Sequence, residues 1–299
     1  MDLYNAIKKY NQWRKLKVKD INGSNGDLLN FAMYMRNCRV VEIELDDVLG
    51  YLNYYPTFGY SRSTLIKKEE NIKKFFEFYR RQGYDVIDPW LIPISKPQFT
   101  MPRICSEENY RRLIAAIPLD TDAYYNIRNL CLINMCWETG ARINEVCSLN
   151  VSDLDFKEKE VVIKTEKSRG VYPFRKLPWG KDTENSLPKW IKRRNHIALD
   201  YDLPEPDALF IGLKSSGGSR LTRVSAEEIF RKYSNKAGIP PESATNPHSM
   251  RHAFGHRLAK KHNNSVISAA LGHSSLGSSY RYTMLNGNEL VKELKRKNK

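Results

Sequence analysis

The sequence predicts a mainly α fold with one small antiparallel β-sheet (α+β), divided into a small helical domain and a larger mixed one. Three observations carry this prediction. Apolar residues recur at helical spacing through most of the chain. Two β-rich runs flank a charged turn between residues 161 and 172. Four prolines crowd into the stretch from Pro89 to Pro102, where periodicity lapses as in an extended linker.

Residues 1–24 mix Lys, Tyr and Asn with weak periodicity and are set apart as an N-terminal extension of unknown role. Asn22-Gly23-Ser24-Asn25-Gly26 reads as a turn. A helical domain then spans residues 25–92. Its first helix carries Leu28, Leu29, Phe31, Ala32 and Met35, and a second carries Val48, Leu49, Tyr51 and Leu52. Ser63 is the expected cap of a longer third helix with Leu65, Ile66, Ile72, Phe75, Phe76 and Tyr79, closed by Gly83. The other side of that helix shows Lys67, Lys68, Lys73, Lys74, Arg80 and Arg81, a solvated face or a set of contacts to a phosphate backbone.

After a linker at 93–102, the second domain spans 103–299. Ser106 caps its first helix, with Glu107 and Glu108 in the first turn. A long helix from about Asp122 to Glu138 ends at Gly140, and a short one runs from Arg142 to Leu149. Val161-Val162-Ile163 and Val171-Tyr172 form the predicted β-hairpin. A later helix is expected to start at a capping box of Ser225 and Glu228. In the basic tail, Leu290, Val291 and Leu294 are spaced for a short amphipathic helix.

The net charge of +15 favours a polyanionic partner, and most of the excess lies after residue 102. No apolar run approaches the roughly 18–20 residues of a membrane span, and the polar start is no signal peptide, so a cytoplasmic protein without membrane contact is expected. Five cysteines without a C-x-x-C pair point to reduced thiols rather than to disulfides or a zinc site. No metal site and no cofactor are expected.

Three short segments carry chemistry. In Thr139-Gly140-Ala141-Arg142-Ile143-Asn144-Glu145-Val146-Cys147-Ser148-Leu149 an arginine opens a helix just after a glycine turn. Glu145 shares its face and is placed to hold it. In His248-Ser249-Met250-Arg251-His252 a histidine and an arginine three apart project from one side of a helix that Pro247 starts, a pairing suited to binding and protonating a phosphate. In Leu271-Gly272-His273-Ser274 a glycine–histidine turn is followed, nine residues after His273, by Tyr282. Each segment alone has an ordinary structural reading.

In this order and spacing they resemble the tyrosine recombinase family of phage integrases and Xer proteins: a T-G-x-R-x-x-E-x-x-x-L box, then H-x-x-R-H, then L-G-H-S, then the tyrosine. The resemblance covers about residues 103–285. It implies a helical core-binding domain ahead of a catalytic domain. It also implies a lysine in a β-hairpin turn, and Lys164-Thr165-Glu166-Lys167-Ser168-Arg169 resembles the family's K-x-x-K-x-R. That places the lysine at Lys164; one extra residue before Pro173 keeps Lys167 open as the alternative, with Arg169 beside it as a DNA contact.

The resemblance further implies a site-specific recombinase, acting in integration, excision or resolution of DNA. Tyr282 would attack a scissile phosphate to leave a 3′-phosphotyrosyl link. Arg142 and Arg251 would stabilise its non-bridging oxygens, His248 and His273 would assist in proton transfer, and Lys164 would protonate the leaving 5′-oxygen. Glu145 would orient Arg142. Tyr280 is a competing nucleophile, disfavoured by its spacing from His273. The implied partners are double-stranded DNA with a specific recombination site, clasped between the domains, and further copies of the chain, as a tetramer on two duplexes. Rival readings are a non-cleaving repressor on the same fold and a type IB topoisomerase-like enzyme acting on one duplex.

Overall fold

The computed structural model describes residues 1–16, 22–54, 58–97, 102–118, 124–166, 173–200, 207–212, 218–243 and 245–272. The chain divides into two compact units, Met1–Met101 and Pro102–Lys299.

The first unit contains four α-helices among its described residues: α1 (Leu3–Lys15), α2 (Asn22–Tyr34), α3 (Leu45–Tyr54) and α4 (Arg62–Arg81). Its core is aromatic, with Phe31, Tyr51, Phe75, Phe76 and Tyr79 fully buried or nearly so. α1 belongs to that core, although the sequence reading assigns no element there. Asp2 caps it, accepting from the Asn5 amide at 2.9 Å, and Leu3, Ala6, Ile7 and Tyr10 form its buried stripe. The Tyr79 hydroxyl donates to the Ala6 carbonyl at 2.8 Å, tying α4 to α1. The expected turn at 22–26 is instead the first stretch of α2. Asn25 there accepts from the Asn11 amide of α1 at 2.6 Å, a tertiary bond that favours helix where local propensity does not. α4 is capped by Ser61 rather than Ser63, the Thr64 amide donating to the Ser61 hydroxyl. Gly83 follows its last residue at φ +80°, as expected. The start of the proline-rich stretch is still part of this unit. Ile92 is buried in the core, and Ser95 bonds to Glu69 through its amide and hydroxyl, at 2.6 and 2.7 Å.

The second unit holds α5 (Glu107–Ala115), α6 (Tyr124–Thr139), α7 (Ile143–Cys147), a sheet of β1 (Leu154–Asp155), β2 (Glu160–Lys164) and β3 (Phe174–Pro178), then α8 (Lys181–Asp200), α9 (Arg223–Lys236), α10 (Pro247–Ala259) and α11 (Asn264–Leu271). Ser106 caps α5 as expected. Residues Cys131 to Trp137 of α6 are buried throughout, which makes it the central helix, surrounded by Tyr110, Trp190, Phe210, Phe230 and Tyr233. The Glu138 carboxylate accepts from the amides of Gly180, Asp182 and Thr183 at 2.9–3.0 Å and so caps α8. The strands run antiparallel in the order β1-β2-β3. Among the described residues the hairpin's second strand is Phe174–Pro178; the expected Val171 and Tyr172 lie outside the described residues. Its register pairs Ile163 with Arg175 and Val161 with Leu177, the inward positions of both strands. α9 is capped by Thr222, whose hydroxyl accepts from the Ser225 amide at 3.1 Å, three residues before the expected cap.

The cysteines are unpaired, and Cys105, Cys131, Cys136 and Cys147 are buried. Burial pushes the thiols of Cys105 and Cys147 up to about 12, which removes them as nucleophiles at neutral pH. No helix among the described residues is long and apolar enough to cross a membrane.

Candidate active site

The site is built around the turn that ends α6. The Thr139 hydroxyl donates to the Met135 carbonyl at 2.6 Å and accepts from the Ala141 amide. Gly140 then adopts φ +59°, the left-handed conformation that an L side chain resists. The turn delivers Arg142, in extended backbone, as the residue preceding α7. Glu145 closes the arrangement: it accepts from the Arg142 amide at 2.8 Å and from Arg142 Nη1 at 2.9 Å. The Glu145 side chain is 1% exposed and that of Arg142 is 25% exposed, so the arginine reaches solvent while its anchor does not.

Glu145 has a second cation. Arg175 Nη2 of β3 donates to its Oε2 at 2.6 Å, and the Glu166 amide donates to Oε1 at 3.3 Å. Burial pushes the Glu145 carboxyl up, but hydrogen bonding and charge from Arg175, then from Arg142, outweigh it and hold the group below its ordinary value. It is a carboxylate at neutral pH.

Arg251, on α10, is 4% exposed and spans two segments: Nη1 donates to the Gly140 carbonyl at 2.8 Å and Nη2 to the Leu271 carbonyl at 2.5 Å. The arginine of the second motif is therefore bonded to the turn of the first and to the start of the third. α10 begins at Pro247 with Asn246 as cap, accepting from the Ser249 amide at 2.9 Å. This leaves His248 exposed on the first turn, while His252 one turn on is buried. Their Nε2 atoms lie 3.0 Å apart, so one ring must donate and the other accept.

Lys164 ends β2 and is exposed. The next residue, Thr165, is buried; its amide donates to the Pro173 carbonyl at 2.9 Å and its hydroxyl accepts from Arg175 Nη1 at 2.9 Å. At the far side, Gly272 caps α11 at φ +61° and is the last described residue before His273.

Arg142, Glu145, Arg251 and the Lys164 strand end, with the turn leading to His273, thus belong to one hydrogen-bonded assembly. His248 lies on the same helix as Arg251. Tyr282, Tyr280, His273, Lys167, Arg169 and the tail residues Leu290, Val291 and Leu294 lie outside the described residues. The sequence reading missed Arg175, and the signal was the inward alternation of Arg175 and Leu177 on β3.

The basic helix α4 of the first unit needs one correction. Lys68 is not on the solvated face: it is 6% exposed, paired with Asp27 at 2.5 Å and stacked over Tyr60. Lys67, Lys74, Arg80 and Arg81 are exposed, though Lys74 pairs with Glu70 and Arg80 with Asp88, and Lys73 covers the Trp90 ring. Lys68→Ala is expected to lower the stability of the first unit by about 2 kcal/mol, the scale of a charged hydrogen bond. Lys67→Ala should leave the urea midpoint in place, and equal shifts for both would remove the Asp27 pair from this account.

Residues 103–289 match the model of the phage integrase family. Among relatives, the tyrosine recombinase XerC of Roseiflexus castenholzii is 28% identical over 279 residues, which cover 91% of this chain and 85% of that protein. Among solved structures, the XerH site-specific recombinase bound to palindromic difH substrate, a post-cleavage complex, aligns at a TM-score of 0.74 with 23% identity, covering 93% of this chain and 80% of that one. A lambda integrase tetramer bound to a Holliday junction aligns at 0.72 with 13% identity, covering 94% and 77%.

Proposed function

The chain belongs to the phage integrase family, and on that premise we propose that it is a site-specific DNA recombinase that cleaves and rejoins strands through Tyr282. The observation that carries this reading is the two-sided grip of Arg251. By bonding both carbonyls it ties the turn that precedes Arg142 to the turn that precedes His273, which supports a shared site.

A scissile phosphate seated there meets two guanidiniums. As the Tyr282 oxygen bonds to phosphorus and the bond to the 5′-oxygen breaks, charge grows on the non-bridging oxygens. Arg142 and Arg251 stabilise it most in the transition state. The tyrosine's proton leaves by way of His248 or His273, and Lys164 supplies one to the departing 5′-oxygen. The phosphotyrosyl link keeps the energy of the phosphodiester, so attack by another strand's 5′-hydroxyl reverses the step without a nucleotide cofactor. Fixed arginines hold the place that divalent ions take in other phosphoryl transfers, which predicts activity in excess EDTA.

The substrate is double-stranded DNA carrying a recombination site, and the acting form is a tetramer on two duplexes, as the likeness to XerC, XerH and lambda integrase supports. Exposed Lys67, Lys74 and Arg81 contact its backbone from the first unit, and Lys167 and Arg169 from the hairpin.

The test is a covalent trap. A nicked duplex with the sequence flanking the gene is incubated in EDTA with the protein, and a denaturing gel reports any slow-migrating protein–DNA adduct. Wild type and Tyr280→Phe should form it and Tyr282→Phe should not. An adduct with Tyr282→Phe moves the nucleophile elsewhere. Tight DNA binding by wild type without an adduct would mean a repressor-like protein on the recombinase fold.

A further inference from the structure

We propose that Arg175, which is outside the arginine, histidine, lysine and tyrosine set, is a positioning residue that holds three segments of the site in register and leaves the charge of Arg142 free for the phosphate. The proposal rests on the recombinase reading for its chemistry but on geometry for its structure.

Arg175 sits on β3 with its side chain 5% exposed. Arginine is seldom so buried unless fully paired, and this one bonds in three directions. Nε donates to the Ala270 carbonyl of α11 at 2.9 Å. Nη1 donates to the Thr165 hydroxyl beside Lys164 at 2.9 Å. Nη2 donates to Glu145 of α7 at 2.6 Å. The three partners stand next to the lysine, behind Arg142, and two residues before Gly272. That glycine is packed against the same group: an ideal Cβ there would lie 3.0 Å from Arg175 Nη1 and 2.8 Å from Thr165 Cγ2.

The charges decide what this achieves. Glu145 faces Arg142 on its own helix and Arg175 across from β3, with the Glu166 amide beyond, and Asn144 donates to the Glu166 carboxylate at 3.1 Å. With Arg142 as its one cation, the carboxylate would neutralise the group that must attract a phosphate. Arg175 supplies the compensating charge from inside, so Glu145 grips Arg142 in place while the trio keeps one net positive charge. That charge lies at Arg142, the exposed member. A lysine at 175 would keep the charge but would lack the planar fork that reaches Thr165, Ala270 and Glu145 together.

The experiment compares the full chain with Arg175→Met and Arg175→Lys by three readouts: the single-turnover rate of adduct formation on the nicked duplex, DNA affinity by gel shift, and the Glu145 carboxyl titration by carbon-13 NMR. Arg175→Met should slow adduct formation about 100-fold, the scale of a small misplacement of reacting groups, with DNA affinity within about threefold of wild type. Its Glu145 should titrate above the ordinary carboxylate range, since burial then outweighs the remaining cation. Arg175→Lys should be intermediate in rate with unchanged affinity, and it carries the test if the methionine variant does not fold. Wild-type cleavage with an unmoved Glu145 titration in either variant would overturn the proposal. So would a parallel loss of binding, cleavage and melting temperature in the lysine variant, which is the mark of a merely structural residue. If wild type itself forms no adduct, the recombinase reading fails, and the Glu145 titration still decides whether Arg175 holds that carboxylate.

Discussion

Replacing Arg251 with methionine will slow strand cleavage by about 10²–10³-fold, the loss typical of one oxyanion-stabilising donor, and will also destabilise the second unit. Both effects come from the same atoms. The guanidinium fills a buried position where its two Nη groups meet the carbonyls of Gly140 and Leu271. Methionine matches the stem but donates nothing, at a cost of about 1–3 kcal/mol for each buried acceptor that loses its donor. Arg251→Lys should recover part of the stability and little of the rate, because one ammonium cannot span both carbonyls and also face a phosphate. Cleavage measured at a temperature where circular dichroism shows each variant folded separates the two effects. If folded Arg251→Met cleaves within fivefold of wild type, Arg251 does not act on the phosphate.

The three motifs were legible in the sequence because each is local. A glycine turn fixes where Arg142 starts its helix, a three-residue spacing places His248 and Arg251 on one side, and the Leu271-Gly272 turn ends a helix. What spacing could not give was their mutual contact, which runs from Arg251 to Gly140 across 111 positions. Arg175 was harder to see for a physical reason. β-branched Val171 and aromatic Tyr172 draw a strand prediction towards themselves, whereas the strand's inward face is Arg175 and Leu177. A pattern search takes arginine as outward unless its partner is known, and Glu145 lies 30 residues away. Lys68 is the same error reversed: its spacing continues the basic face of α4, but Asp27 draws it inside. α1 escaped because the stripe Leu3, Ala6, Ile7 and Tyr10 has correct helical spacing but includes a small residue and a phenol, both weak markers of burial.

Gly140→Ala will destabilise the second unit by about 3 kcal/mol, from two terms that a control can separate. The first is conformational: at φ +59° any L side chain costs about 1–2 kcal/mol. The second is steric. An ideal Cβ would lie 2.6 Å from Cγ and 2.8 Å from Cβ of Phe254, so the ring or the helix that carries it must move, an overpacking cost of about 1–3 kcal/mol. Phe254 cannot yield freely, because it packs on Ile267 and Leu271 of α11. Gly238 supplies the control, with φ +61° and open space where the Cβ would go, so Gly238→Ala should lose the conformational term alone. For a domain of this size the difference should appear as a fall in melting temperature of about 6–12 °C at Gly140 against about 2–8 °C at Gly238. Phe254→Leu added to Gly140→Ala should restore part of the loss, since a smaller side chain relieves the clash. Equal losses at the two glycines would mean that Phe254 does not constrain the turn. Phe254 shares α10 with His248 and Arg251, so whatever part of the strain is relieved by moving the helix displaces both relative to the Gly140 turn. Cleavage by Gly140→Ala should therefore fall even at temperatures where the protein is fully folded, whereas Gly238→Ala should cleave at the wild-type rate.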